Sequence, residues 1–335
     1  MAADESARFA QFAEQTNIGP HTLEQFAADI RRIVTVYPNR PVYPIFVEVR
    51  ALRNRAFEKI EGRQFPDQTR DLYLATGLLC GILANASFDL GRLDAAETQA
   101  RTAFLCAELA GSNWLRAWVR GTQSLIAYWD DRPRAAAELA ASGRSYAAET
   151  GTAMVRLAAI EARAYGRMRD ASGLDTALGL AADARDDVTG EDDPGGMMTF
   201  PEAKQSFYAA TARLWLGGVE AAAQADRDAE YAVGAYEQDP PEQRRLGELN
   251  LARLDLAAAR LAIGQIEGTA EQVRTVLEVC ARRPTDSVTR RLRQVSAVLD
   301  QPRYRNNQIA GDLVDEISAF VNRAPVPALP RTQQQ

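Results

Sequence analysis

"LGRLDAAETQARTA", Leu90–Ala103, decides how the whole chain reads. A Leu-Gly pair closes one helix, and Leu93 follows two places after the glycine. Ala96, Ala100 and Ala103 then recur at helical spacing, so a second helix starts with a stripe of small residues. The same layout returns in "DDRPRAAAELAASG" (130–143), with Pro133, Ala136, Ala140 and Gly143, and more loosely in "ASGLDTALGLAAD" (171–183). It returns cleanly in "LGGVEAAAQADRDA" (216–229) and ends in a weaker form in "IGQIEGTAEQV" (263–273). The turns fall at 91, 131, 172, 217 and 264, with spacings of 40, 41, 45 and 47. Each unit is a helix, a tight turn and a second helix whose alanines let its partner approach closely.

Helical periodicity extends well beyond these units. In "LARLDLAAARLAIG" (251–264), Leu251, Leu254, Leu256, Ala258 and Leu261 form a wide apolar stripe. "HTLEQFAADIRRIVTVY" and "YPIFVEVRALRNRAFEKIEG" carry stripes of their own, and the three prolines of "TVYPNRPVYPIFV" (35–47) predict a turn between them. The expected fold is all-α, a tetratricopeptide-like solenoid of antiparallel helix pairs over residues 21–322. Residues 1–20 form an arm with a short helix, and "RDDVTGEDDPGGMMTFPE" (185–202) is one long acidic loop. The Pro-rich, polar tail 323–335 is expected to be disordered.

The chain of 335 residues carries a net charge of −6, which runs against a free-standing domain built to neutralise phosphates. No apolar run of the length that spans a bilayer stands out, and the N-terminus lacks the layout of a signal peptide. Cys80, Cys106 and Cys280 lie far apart, as small buried hydrophobes would in a reducing cytoplasm. These features lead to a cytoplasmic protein with no membrane partner.

Chemistry-bearing motifs are few. His21 stands alone, without the ligands a zinc site needs. Neither Lys59 nor Lys204 follows a phosphate-cradling glycine loop, and no GxGxxG occurs. Ser145 in "SGRSYA" imitates half of a nucleophile elbow but has no strand before it. The pairs Asp130-Asp131 and Asp192-Asp193 fall in turns, where solvated charge is expected. The expectation is a non-catalytic protein with no cofactor and no metal.

The first helix of each pair is placed to line an inner surface. Its residues are Asn85 and Asp89 from the first clear unit, and Arg116, Trp118, Arg120, Gln123 and Tyr128 from the next. Lys204, Tyr208 and Thr211 come from a later one. Aromatics with arginines at this spacing suit an acidic peptide or anionic ligand. The same residues also suit packing between helices, with the arginines on a solvated face.

The segments "TNIGPHTLEQFAADIRRI" (16–33), 68–111, "LRAWVRGTQSLIAYWDDRPRAAAELAASG" (115–143) and "FPEAKQSFYAATARLWLGGVEAAA" (200–223) resemble the C-terminal region of actinobacterial Cro-like (XRE-type) regulators. The resemblance spans about residues 6–322. It implies a module that senses a peptide, protein or small-molecule effector and can form a homodimer. In that family a helix-turn-helix head precedes the module, and the sequence before Asp4 leaves no room for one. The stretch "FAEQTNIGPHTLEQFAADI" imitates such a head, yet it places Glu24 and Asp29 where phosphates would have to be met. No direct DNA binding is expected unless a helix-turn-helix lies upstream. The alternative is a stand-alone scaffold or adaptor for protein interactions.

Overall fold

The computed structural model describes residues 1–146, 150–280 and 283–323. Among these the chain forms fifteen α-helices, two short 3-10 turns and no strand. The helices are α1 (Ala2–Ala13), α2 (Pro20–Val36), α3 (Val42–Ile60), α4 (Pro66–Asp89), α5 (Leu93–Leu109), α6 (Asn113–Trp129), α7 (Pro133–Arg144) and α8 (Ala153–Met168). They continue with α9 (Ala171–Asp186), α10 (Glu202–Leu216), α11 (Val219–Gln238), α12 (Leu246–Ala262), α13 (Ile266–Cys280), α14 (Asp286–Leu299) and α15 (Gln308–Arg323). The 3-10 turns are Gly196–Met198 and Pro302–Tyr304. The expected tail, residues 324–335, lies outside the described residues.

The helix ends explain the repeat. At the end of α4, Gly91 has φ +74°; its N–H donates to the Phe88 carbonyl and that of Arg92 to the Ser87 carbonyl. This pair of bonds caps the orphan carbonyls of the last turn and suits glycine, which has no Cβ to oppose a positive φ. The same two bonds close α12 at Gly264 and Gln265. They also close α8 at Arg169 (φ +57°) and Asp170, without glycine, and at the end of α6, where Asp131 has φ +59°, the Arg132 N–H donates to the Ala127 carbonyl. The third turn therefore centres on Arg169, not on position 172. Asp170 caps α9 by accepting from the Gly173 N–H, so Ser172 and Gly173 are already helical. Gly173 is small because the Tyr165 ring lies against it.

Each turn folds one helix back on the next: α4 on α5, α6 on α7, α8 on α9, α10 on α11, α12 on α13 and α14 on α15. The alanines of the second helices, among them Ala96, Ala100, Ala136, Ala140, Ala177 and Ala229, are buried. Close approach is confirmed by Ser124 Oγ donating to the Ala136 carbonyl and Thr269 Oγ1 to the Ala257 carbonyl, 3.1 Å away. The first helices also touch in sequence, α4 to α6, α8, α10, α12 and α14. Then α14 returns to α4 and α6: Gly91 packs against Asp286, and Arg290 Nη1 donates to the Trp129 carbonyl at 3.0 Å.

Helix α4 is the exception to the reading that no stretch is apolar enough to span a bilayer. By length and composition it qualifies, with a mean hydropathy of 1.3 over its best window, and 78% of that window is buried inside the protein. Its neighbours are α2, α3, α5, α6 and α14. At the other extreme, α1 buries no residue and exposes Phe9 and Phe12, and among the described residues its only ring contact outside itself is Arg63 over Phe12.

The acidic segment 185–202 is ordered through its own bonds. Asp192 accepts from Trp114 Nε1 (3.2 Å), the Thr152 N–H (2.9 Å) and Thr152 Oγ1 (2.5 Å). Thr152 Oγ1 in turn accepts from the Phe200 N–H at 2.7 Å. Met197, Met198 and Phe200 are buried, so the segment is a lid whose apolar end enters the core.

Candidate functional site

The first helices of the pairs converge on a hollow of about 90 Å³. Its walls come from the α2–α3 connection (Tyr37, Pro38), α4 (Asn85, Phe88, Asp89), α6 (Leu125, Trp129) and α8 (Arg163). The lid adds Met197, α10 adds Lys204, Phe207 and Tyr208, and α12 adds Gly247, Glu248 and Leu251. Arg283 and Thr285, from the segment that leads into α14, and Ser287, in its first turn, close it.

Two buried polar clusters frame this hollow. In the first, Tyr37 Oη donates to Asp89 Oδ2 (2.8 Å), Asn85 Nδ2 donates to Tyr37 Oη (3.0 Å) and Arg283 Nη2 donates to Asp89 Oδ2 (3.0 Å). Burial and the nearby Asp89 charge raise the Tyr37 pKa well above its ordinary value, so the phenol stays a donor. In the second, Glu248 accepts from Lys204 Nζ (2.6 Å), Tyr236 Oη (2.8 Å) and Arg245 Nη1 (3.2 Å). Burial pushes the Glu248 carboxyl up, but Lys204 and Arg245 outweigh it and hold the pKa at about 2. Arg245 Nη2 also donates to the Gly196 carbonyl and Thr199 Oγ1, both at 2.5 Å, which ties the lid to α12.

A third cluster lies deeper. Thr211 Oγ1 donates to Asp255, and Arg291 of α14 pairs with the same carboxylate. Charged or polar residues seven apart set these layers: Lys204 and Thr211 on α10 face Glu248 and Asp255 on α12. Two turns of helix separate i and i+7, which returns them to one face.

Arg156 and Arg163 occupy α8 with the same spacing. Arg156 donates to the Trp118 carbonyl and Thr122 Oγ1, and burial lowers its pKa to about 10, which leaves it charged at neutral pH. Arg163 differs. It is 3% exposed, its guanidinium carbon lies 4.3 Å from both the Tyr128 and Tyr208 rings, and its Nε has no hydrogen-bond partner. No ion pair reaches it among the described residues.

Of the ten expected site residues, Asn85, Asp89, Lys204 and Tyr208 line this hollow. Tyr128 and Thr211 line a much smaller one beside it, of about 10 Å³. Arg116, Trp118, Arg120 and Gln123 face elsewhere. Trp118 fills the space over Gly81 in the core, Arg120 stacks on Phe104 and bonds Gln123, and Arg116 bonds Asn113 and the Glu108 carbonyl. A larger cleft of about 500 Å³ between α2 and α4, with Leu23, Ile30, Leu74 and Trp114 in its walls, holds none of the ten.

The sequence reading missed Tyr37, Arg163, Glu248 and Arg283. Arg163 and Glu248 left a signal, because each puts a charge into an otherwise small or apolar stripe, with a second charge seven residues away. Tyr37 and Arg283 left none, since both lie in connections whose position depends on how the chain's two ends meet.

The motifs weighed for chemistry are accounted for structurally. Ser145 Oγ donates to the Ser142 carbonyl at the end of α7, and His21 Nδ1 lies 3.3 Å from Glu24 Oε2 on an exposed face. All three cysteines are buried. No group of three His, Cys, Asp or Glu suited to a metal occurs among the described residues. The chain matches no protein-family model and no curated protein sequence.

Proposed function

We propose that this chain is a non-catalytic effector-binding module, built as a tetratricopeptide-like solenoid and working as the regulatory part of a Cro-like regulator. The carrying observation is the central hollow, whose lining is drawn from eight separate segments between Tyr37 and Ser287. A molecule held there touches the α2–α3 connection, the lid and the entry to α14 at once. Its binding energy therefore bears on how the two ends of the chain meet, and a regulatory module needs that linkage. The regularly spaced helix pairs support the solenoid reading, with the return of α14 to α4 closing the inner face that such folds leave open.

The hollow suits a small molecule rather than an extended peptide, because its volume is far below that of a drug-sized site. DNA reading is not assigned to residues 1–36. Helix α1 buries nothing, so α1 and α2 lack the mutual packing that holds a recognition helix in place. A second reading, an interaction scaffold, draws on the exposed Phe9 and Phe12 of α1.

Native mass spectrometry of protein purified from its own host tests the proposal. The expected spectrum carries an added small-molecule mass that denaturation releases. A bare chain mass throughout overturns the effector reading, and a retained protein partner with no small molecule favours the scaffold.

A further inference from the structure

Five charged side chains line the central hollow: Asp89, Arg163, Lys204, Glu248 and Arg283. Four pair off, Asp89 with Arg283 at 3.0 Å and Glu248 with Lys204 at 2.6 Å. Arg163 is left over, buried and without a carboxylate. Asp255, the acidic group that acts on it through space, is already taken by Arg291 and Thr211. A buried cation without an anion is costly, and folds keep one where something completes it. Burial pushes the Arg163 pKa down, but the two tyrosines on either side, a hydrogen bond to Tyr128 and the field of Asp255 outweigh it and raise the pKa, so the guanidinium stays charged, while none of them gives it an anion of its own.

We propose that the hollow is an anion site and that its ligand is a small organic carboxylate, received by Arg163. This rests on the effector-binding reading and names its ligand class. A guanidinium presents two parallel N–H groups that match a carboxylate in its own plane. Phe88, Leu125, Trp129, Phe207 and Leu251 form the apolar part of the same lining. That part suits a short hydrocarbon group. Because Lys204 and Arg283 are already paired with Glu248 and Asp89, a single free cation among the described residues faces the ligand, which suits the one charge of a carboxylate better than the higher charge of a phosphate. A hollow of about 90 Å³ admits a ligand of about half a dozen non-hydrogen atoms.

Thermal unfolding of the full chain tests this with sodium butyrate, butyramide and inorganic phosphate at matched ionic strength. Butyrate is expected to raise Tm saturably, while butyramide and phosphate leave it unchanged. Arg163→Met is expected to fold, since it removes an unpaired buried charge, and to weaken butyrate binding by about tenfold or more. Arg163→Lys keeps the charge but not the fork and falls between. Arg116→Ala, far from the hollow, leaves the response intact. Should Arg163→Met not fold, the comparison of butyrate with butyramide on the unaltered chain still decides. No butyrate shift, an equal shift with butyramide or phosphate, or a shift that survives in folded Arg163→Met overturns the proposal. An uncharged molecule retained from the host overturns it too, yet leaves the effector reading standing. Butyrate binding through Arg163 with no mass retained from the host does the reverse.

Discussion

Arg283 Nη2 lies 3.0 Å from Asp89 Oδ2, a buried contact between residues 194 positions apart. It joins the end of α4 to the entry of α14, and Tyr37 shares the same carboxylate oxygen. Removing one partner of a buried pair leaves the other as an uncompensated charge. Arg283→Met is therefore expected to lower stability by about 3 kcal/mol in urea unfolding. The double variant Asp89→Leu/Arg283→Met is expected to lose less than the sum of its singles, and simple additivity would show that the two do not act together.

Glu248 gives the protein an acid-sensitive joint. Its folded pKa of about 2 lies below the ordinary value of 4.5, so its stabilisation is present above about pH 5 and drains away as pH falls toward 2. The shift corresponds to about 3 kcal/mol. Glu248→Gln should flatten the fall in stability over that window while lowering stability at pH 7, because Lys204 and Arg245 lose their common partner. An unchanged acid limb in the variant contradicts this assignment.

Two glycines in helices make opposite predictions. At Gly166 on α8 an added Cβ would meet the backbone carbonyl of Ala212 on α10 at 2.2 Å, so the two helices would have to separate. Gly166→Ala should cost about 2 kcal/mol or more. At Gly179 on α9 nothing lies within 4 Å, and Gly179→Ala should gain up to about 1 kcal/mol. Denaturation midpoints of the two variants moving in the same direction would contradict the packing described.

The cysteines should be silent in the folded protein. Burial pushes the thiols of Cys80, Cys106 and Cys280 up to about 12, 11 and 11, so little thiolate exists at pH 8. A thiol reagent is expected to label none of them at that pH until the chain unfolds. Rapid labelling without loss of helicity would mean that α4, α5 or α13 opens on its own.

Much of the fold was legible because it is local. Gly91, Gly217 and Gly264 mark helix ends by a conformational need that sequence displays directly. The register error at 172 arose because Arg169 fills a left-handed position without glycine, held there by the bonds to Tyr165 and Gly166. The acidic, glycine-rich composition of 185–202 reads as loop, but no local pattern shows that Asp192 accepts from Trp114 and Thr152, far away in sequence. The site was half legible. Lys204 and Tyr208 follow from periodicity along one helix. Arg283 reaches Asp89 only because α14 returns to α4, a relation that no single-helix pattern encodes.

The most direct test of the account is a crystal structure of protein purified from its own host. A small molecule is expected in the central hollow, within hydrogen-bond distance of Arg163 and against Trp129 and Phe207. Water alone in that hollow, with a molecule bound instead in the cleft between α2 and α4, would contradict it.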